Sequence, residues 1–230
     1  MKDGETISIS GRACTVCADG EPRCLMLQPA DSRELELLGK ELQHIRTLTD
    51  VPFAFAAFEI SDWNSELSPW PAPPVFGREP FGSGAGDTLS FIEGALIPEL
   101  VKACSLSSDI PVILGGYSLA GLFALWSAYS SDRFRAAAAV SPSVWFPGWL
   151  DFIDGRSPLA KSIYLSLGRK EEKTRSRIMS AVGDNIRRQY GALTALGTDT
   201  ALEWNEGSHF SEPELRTAKG FAWCCERVSR

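Results

Sequence analysis

The chain has 230 residues, 44% of them apolar, which is enough for one globular domain with a full core. Its net charge of -6 is built from mixed signs and leaves no basic face for nucleic acid or anionic lipid. No apolar run approaches a membrane span, and MKDGETISIS lacks the basic and apolar regions of a signal peptide, so a soluble, cytoplasmic protein is expected.

Short β-like runs open the chain at 6–9, 13–17 and 23–28. The second contains Cys14-x-x-Cys17, with no second pair or histidine nearby. Neither a metal nor a cofactor is therefore expected. Leu35, Leu38, Leu42 and Ile45 then recur at three- and four-residue spacing and predict a helix, followed by a fourth strand at 51–58. The stretch 60–86 carries five prolines and two tryptophans, Trp63 and Trp70, and is too long for a simple connection. It reads as a functional loop or lid within a single domain covering 1–230.

A helix from about Asp87 to Leu100 leads to the strand PVILG at 111–115 and then to Gly116-Tyr117-Ser118-Leu119-Ala120. An apolar strand, a turn of small residues with serine at its apex, and the apolar helix LAGLFALWSAY have the layout of a nucleophile elbow. Small residues are needed because the serine is lifted above the sheet where neighbouring backbones come close. Further strands follow at 135–140, 162–167 and 200–204, separated by a helix over roughly 175–196. The last helix starts after Ser211, where Ser211-Glu212-Pro213-Glu214 reads as a capping box. About eight strands alternating with helices predict an α/β protein with a mostly parallel sheet covered on both faces. Cys224-Cys225 reads as core packing of the terminal helix.

A serine nucleophile needs a base, and the base needs an acid. Of the two histidines, His44 lies mid-helix on the flank of an apolar stripe, whereas His209 follows the last strand in Glu206-Gly207-Ser208-His209-Phe210. His209 is the expected base. The strand SIYLSL ends in Gly168-Arg169-Lys170-Glu171-Glu172, so Glu171 and Glu172 both qualify as the acid. The order serine, acid, histidine is that of α/β-hydrolases.

The segment GYSLAGLFALWSAYSSDRFRAAAAVSPSVW, with YLSLGRKEEKT and EWNEGSHF, resembles an esterase family of the α/β-hydrolase superfamily. That family includes S-formylglutathione hydrolases, feruloyl esterases, siderophore (enterobactin-type) esterases and mycolyltransferases. The similarity covers most of the chain and is strongest to bacterial siderophore-esterase types. The resemblance implies an α/β-hydrolase fold, and its spacing of the acid three residues after a strand-ending glycine selects Glu171.

The oxyanion hole calls for the N–H of Leu119 and a second donor after the third strand. Pro29 has no N–H, which leaves Ala30 or Asp31, with Ala30 the first choice. Trp63, Trp70, Trp145 and Trp149 fall where they could wall an acyl or aryl pocket, and Ser141 and Ser143 are expected in its wall. The activity expected is hydrolysis of a small-molecule carboxylic ester through an acyl-enzyme. An acyltransferase using the same intermediate and a catalytically silent binding protein are the alternatives.

Overall fold

The computed structural model describes residues 4–75 and 77–230. Residues 1–3 of the N-terminal segment and Phe76 of the 60–86 segment lie outside the described residues. In chain order the strands are Glu5–Ile9 (β1), Arg12–Ala18 (β2), Cys24–Ala30 (β3), Phe53–Glu59 (β4), Val112–Tyr117 (β5), Phe134–Val140 (β6), Ser162–Gly168 (β7) and Asp199–Asn205 (β8). The helices are Ser32–Leu48 (α1), Trp63–Glu66 (α2), Ala85–Phe91 (α3), Ile97–Ala103 (α4), Leu119–Ser130 (α5), Trp149–Ile153 (α6), Arg177–Ser180 (α7), Val182–Ala195 (α8) and Pro213–Val228 (α9).

The strands form one sheet in the order β1-β2-β4-β3-β5-β6-β7-β8. β1 and β2 pair antiparallel, β2 is antiparallel to β4, and β3 to β8 are parallel. Every residue of β3, β5 and β7 is buried, because helices cover both faces. This explains why those strands read as continuous apolar runs instead of alternating ones. All eight expected strands are present, and the α/β class with a mostly parallel sheet is borne out.

On one face α1 and α9 pack through Leu38, Leu42, Ile45, Ala218, Phe221 and Cys225. On the other face α3, α4, α5, α6 and α8 close the larger core. Cys14 belongs to the larger core and Cys17 to the smaller, since residues three apart on a strand point to opposite faces. Cys224 and Cys225 are fully buried, and the Cys225 thiol lies 3.3 Å from that of Cys24.

One expected cap is corrected. The Ser211 hydroxyl accepts the Ser208 N–H at 3.0 Å, so it closes the turn bearing His209 and does not cap α9. Glu212 is left-handed at φ 51°, and α9 begins on Pro213 without a side-chain cap. A capping box stands instead at α1, where Asp31 accepts the Glu34 N–H and Glu34 accepts the Asp31 N–H. The 60–86 segment is pinned to the core. Ala72 and Phe81 form a bridge, Phe81 is buried, and Thr88 donates to the Glu66 carbonyl at 2.8 Å. Among the described residues no helix is long and apolar enough to cross a membrane.

Candidate active site

The carboxyl ends of the parallel strands gather the candidate residues. Ser118 follows β5 with φ 59° and ψ -117°, a backbone conformation that side chains rarely adopt and that lifts its hydroxyl above the sheet. The end of β6 and the turn after it hold it there: its N–H donates to the Val140 carbonyl and its carbonyl accepts from the Ser143 N–H, both at 3.0 Å. A Cβ on Gly116 would come within 2.6 Å of the Ala120 Cβ, and one on Gly121 within 2.9 Å of the Val140 carbonyl. The elbow therefore excludes larger residues at both positions, and alanine is accommodated at 120.

His209 sits four residues after β8, and Glu171 three after β7. His209 Nε2 is 3.1 Å from Ser118 Oγ, and Nδ1 is 2.7 Å from Glu171 Oε2. A carboxylate can only accept, so Nδ1 carries the proton and Nε2 turns a lone pair to the serine hydroxyl. The other Glu171 oxygen, Oε1, accepts from the Gly168 N–H at 2.7 Å, Ser141 Oγ at 2.8 Å and Arg216 Nη1 at 3.3 Å. The structure thus brings Ser118, His209 and Glu171 into one hydrogen-bonded row. Glu172 points away, to the Arg187 guanidinium at 2.9 Å.

Three further residues complete this network. Arg216, 2% exposed, also donates to the Glu206 carbonyl at 2.6 Å and to the Tyr117 hydroxyl at 3.2 Å. Tyr117 in turn donates to the His209 carbonyl at 2.7 Å. Burial and then the Glu171 charge push the Tyr117 hydroxyl above its ordinary pKa, so it remains a neutral donor. Ser141, expected only in the pocket wall, also holds the acid, and its φ of 41° marks a strained turn after β6. Arg216 had one sequence signal: it shares a helical stripe with buried Gly220 and Cys224.

A cavity of about 660 Å³ opens over Ser118 and His209. Trp63 and Trp145 line it. Trp70 does not: its indole N–H donates to the Pro147 carbonyl at 2.7 Å and its ring packs on Phe146 and Phe152. Trp149 is also outside the wall, fully buried with its N–H on Gln189 Oε1. Ser141 lines the cavity, and the Ser143 hydroxyl lies 3.4 Å from Ser118 Oγ. His44 is half-buried on α1, outside the cavity wall.

Leu119 opens α5, where first-turn N–H groups lack helical acceptors. Ala30 ends β3, the strand beside β5. The Asp31 N–H donates to Glu34 Oε2 at 3.2 Å, and Ala30 belongs to the β3–β4 ladder, its carbonyl accepting the Ile60 N–H at 3.0 Å.

Solved structures share this architecture. Siderophore hydrolase EstB from Aspergillus nidulans matches with a TM-score of 0.73 at 17% identity, over 97% of this chain and 94% of that one. The chain has the α/β-hydrolase fold. An IroE-like serine hydrolase from Shewanella oneidensis shares it with a TM-score of 0.70 at 15% identity, over 95% of this chain and 74% of that one. The enterobactin esterase FES from Shigella flexneri, solved with 2,3-di-hydroxy-N-benzoyl-serine, gives 0.70 at 19% identity. That match covers 99% of this chain and 60% of the esterase, so this hydrolase-fold chain spans little more than half of it. No protein-family model matches the sequence, and no curated protein does. EstB and FES, a siderophore hydrolase and an enterobactin esterase, belong to the group that the sequence resembles.

Proposed function

We propose that the chain is a serine hydrolase of small-molecule carboxylic esters, with Ser118, His209 and Glu171 as its catalytic residues. The observation that carries this reading is the row Ser118 Oγ, His209 Nε2 and Nδ1, and Glu171 Oε2, with spacings of 3.1 and 2.7 Å, at the base of a cavity. Ser118 Oγ attacks the ester carbonyl while Nε2 takes its proton. The imidazolium is held by Glu171, and the carbonyl oxygen becomes an oxyanion facing the N–H groups of Leu119 and Ala30. Collapse expels the alcohol, which receives the proton from Nε2, and leaves Ser118 acylated. Water, deprotonated by the same imidazole, releases the acid and restores the serine.

The likeness to siderophore and enterobactin esterases supports siderophore-type esters as the first natural substrates to try. The primary test uses p-nitrophenyl esters of graded chain length with a fluorophosphonate label. Ester turnover with the adduct on the Ser118 peptide is expected. An adduct on Ser141 or Ser143, or none on folded protein, would overturn the assignment.

A further inference from the structure

One arm of the cavity wall is built by β3, α1 and α9. Gln28, Glu34, Leu37, Glu41, Glu214 and Thr217 line it. Glu34, Leu37 and Glu41 share one face of α1 by their three- and four-residue spacing, beside the apolar stripe of Leu38 and Leu42. Gln28 reaches the same side from β3, whose alternate residues Cys24, Met26 and Ala30 pack in the α1–α9 core.

Two buried side chains in this wall keep acceptor capacity unused. Gln28 is 2% exposed and Glu41 3%. Gln28 Nε2 donates to Glu41 Oε2 at 3.4 Å, but Gln28 Oε1 and Glu41 Oε1 have no hydrogen-bond partner among the described residues. Leaving such oxygens unpaired in a buried site is costly, and native proteins seldom do so without a reason. The charges acting on Glu41, those of Glu34 and Glu214, are both negative. An anionic ligand is therefore disfavoured, and a neutral hydroxyl brings only one donor.

We propose that this arm is a subsite for a primary ammonium group carried by the ester substrate. The proposal rests on the reading of Ser118 and His209 as a hydrolytic site. An ammonium has three N–H donors and no acceptor, which complements the unpaired oxygens of Gln28 and Glu41 and the negative surroundings. Burial first, then the charges of Glu34 and Glu214, push the Glu41 carboxyl up to about 8. The other charged and titratable groups of the cavity wall are Asp31, Arg33 and Glu34 from α1 and its cap, Tyr117 from β5, Lys170, Glu171 and Lys173 after β7, His209 after β8 and Glu214 from α9, of which Glu34 and Glu214 act on Glu41. Asp31 and Glu34 are engaged in the capping box, and the Arg33 guanidinium lies over the Phe210 ring, 5.6 Å from its centre. A bound cation favours ionised Glu41, whose proton passes to solvent. Ammonium binding accordingly strengthens as pH rises towards about 8.

The test is calorimetric titration of the intact protein with n-alkylammonium ions and with n-alkanols of matched length, alongside turnover of a neutral p-nitrophenyl ester. The ammonium is expected to bind about tenfold or more tightly than the alkanol, the effect of one charge-assisted hydrogen bond. Its binding should release protons near pH 7, and the preference should collapse in Glu41→Gln and weaken in Gln28→Met. Equal binding of ammonium and alkanol, or a preference that survives Glu41→Gln, overturns the subsite even when the neutral ester is hydrolysed. Absence of ester turnover overturns the hydrolase reading and with it the ester as the carrier of the ammonium, whereas the titration separately decides whether the site binds an ammonium.

Discussion

Arg216 Nη1 lies 3.3 Å from Glu171 Oε1, and the two side chains are 2% and 5% exposed. This ion pair joins α9 to the end of β7, while the second guanidinium nitrogen holds the Glu206 carbonyl on the loop that presents His209. One side chain thus ties the acid to the loop of the base. Removing one member of a buried ion pair costs about 3–5 kcal/mol, because the other is left uncompensated. Arg216→Met is expected to lose about that much in urea unfolding, and Arg216→Lys less. If Arg216→Met proves as stable as the parent, the pair contributes nothing net to stability.

Ser118→Ala and His209→Ala should each lower kcat about 10⁴-fold or more, since such residues act as a unit. Glu171→Gln should cost roughly one to two orders of magnitude less than either, because an imidazole still in place retains some function. Glu172→Gln should leave kcat nearly unchanged, as its carboxylate pairs with Arg187 on α8. His44→Ala, from a half-buried position outside the cavity wall, should do the same. Steady-state kinetics on folded variants decides among these. An inactive His44→Ala with an active His209→Ala would reverse the assignment of the base.

The eight strands were legible because each is a short apolar or β-branched run bounded by turn residues. The elbow was legible because Gly116, Ser118 and Gly121 answer a steric demand that few other residues meet. Glu171 and Glu172 could not be separated by local chemistry, since both are carboxylates at one strand end. Only the fold turns one towards His209 and the other towards Arg187. The contacts of Ser141, Tyr117 and Arg216 around the acid and the base were not legible for the same reason. Each is an ordinary residue locally and gains its place through partners about 30 to 100 positions away. The capping box assigned to Ser211 failed because that hydroxyl had a nearer use, closing the turn at Ser208.

The two tryptophans of the 60–86 segment should separate cleanly. Trp63 lines the cavity, so Trp63→Ala is expected to shift the preferred acyl or aryl size with little change in Tm. Trp70 is half-buried against Phe146 and Phe152, so Trp70→Ala should cost on the order of 2 kcal/mol and leave the substrate profile alone. A panel of p-nitrophenyl esters and a thermal melt on each variant make the comparison. A changed profile in Trp70→Ala at unaltered Tm would place that ring in the substrate wall after all.

Glu41 should impose a pH slope on stability. Its carboxyl is raised from an ordinary 4.5 to about 8, chiefly by burial. Below the ordinary value both folded and unfolded chains hold the proton; between the two values only the folded chain does. The stabilisation is therefore complete in acid and is lost as pH rises through about 8, over a total on the order of 5 kcal/mol. Glu41→Gln keeps the shape without the ionisation, so its unfolding free energy should fall less than the parent's between pH 5 and pH 8. The gap between the two should widen up to about pH 8 and stay constant above it. Urea unfolding at a series of pH values gives both curves. Parallel curves would mean that Glu41 ionises at an ordinary pH in the folded chain, with water or a cation reaching its carboxylate freely.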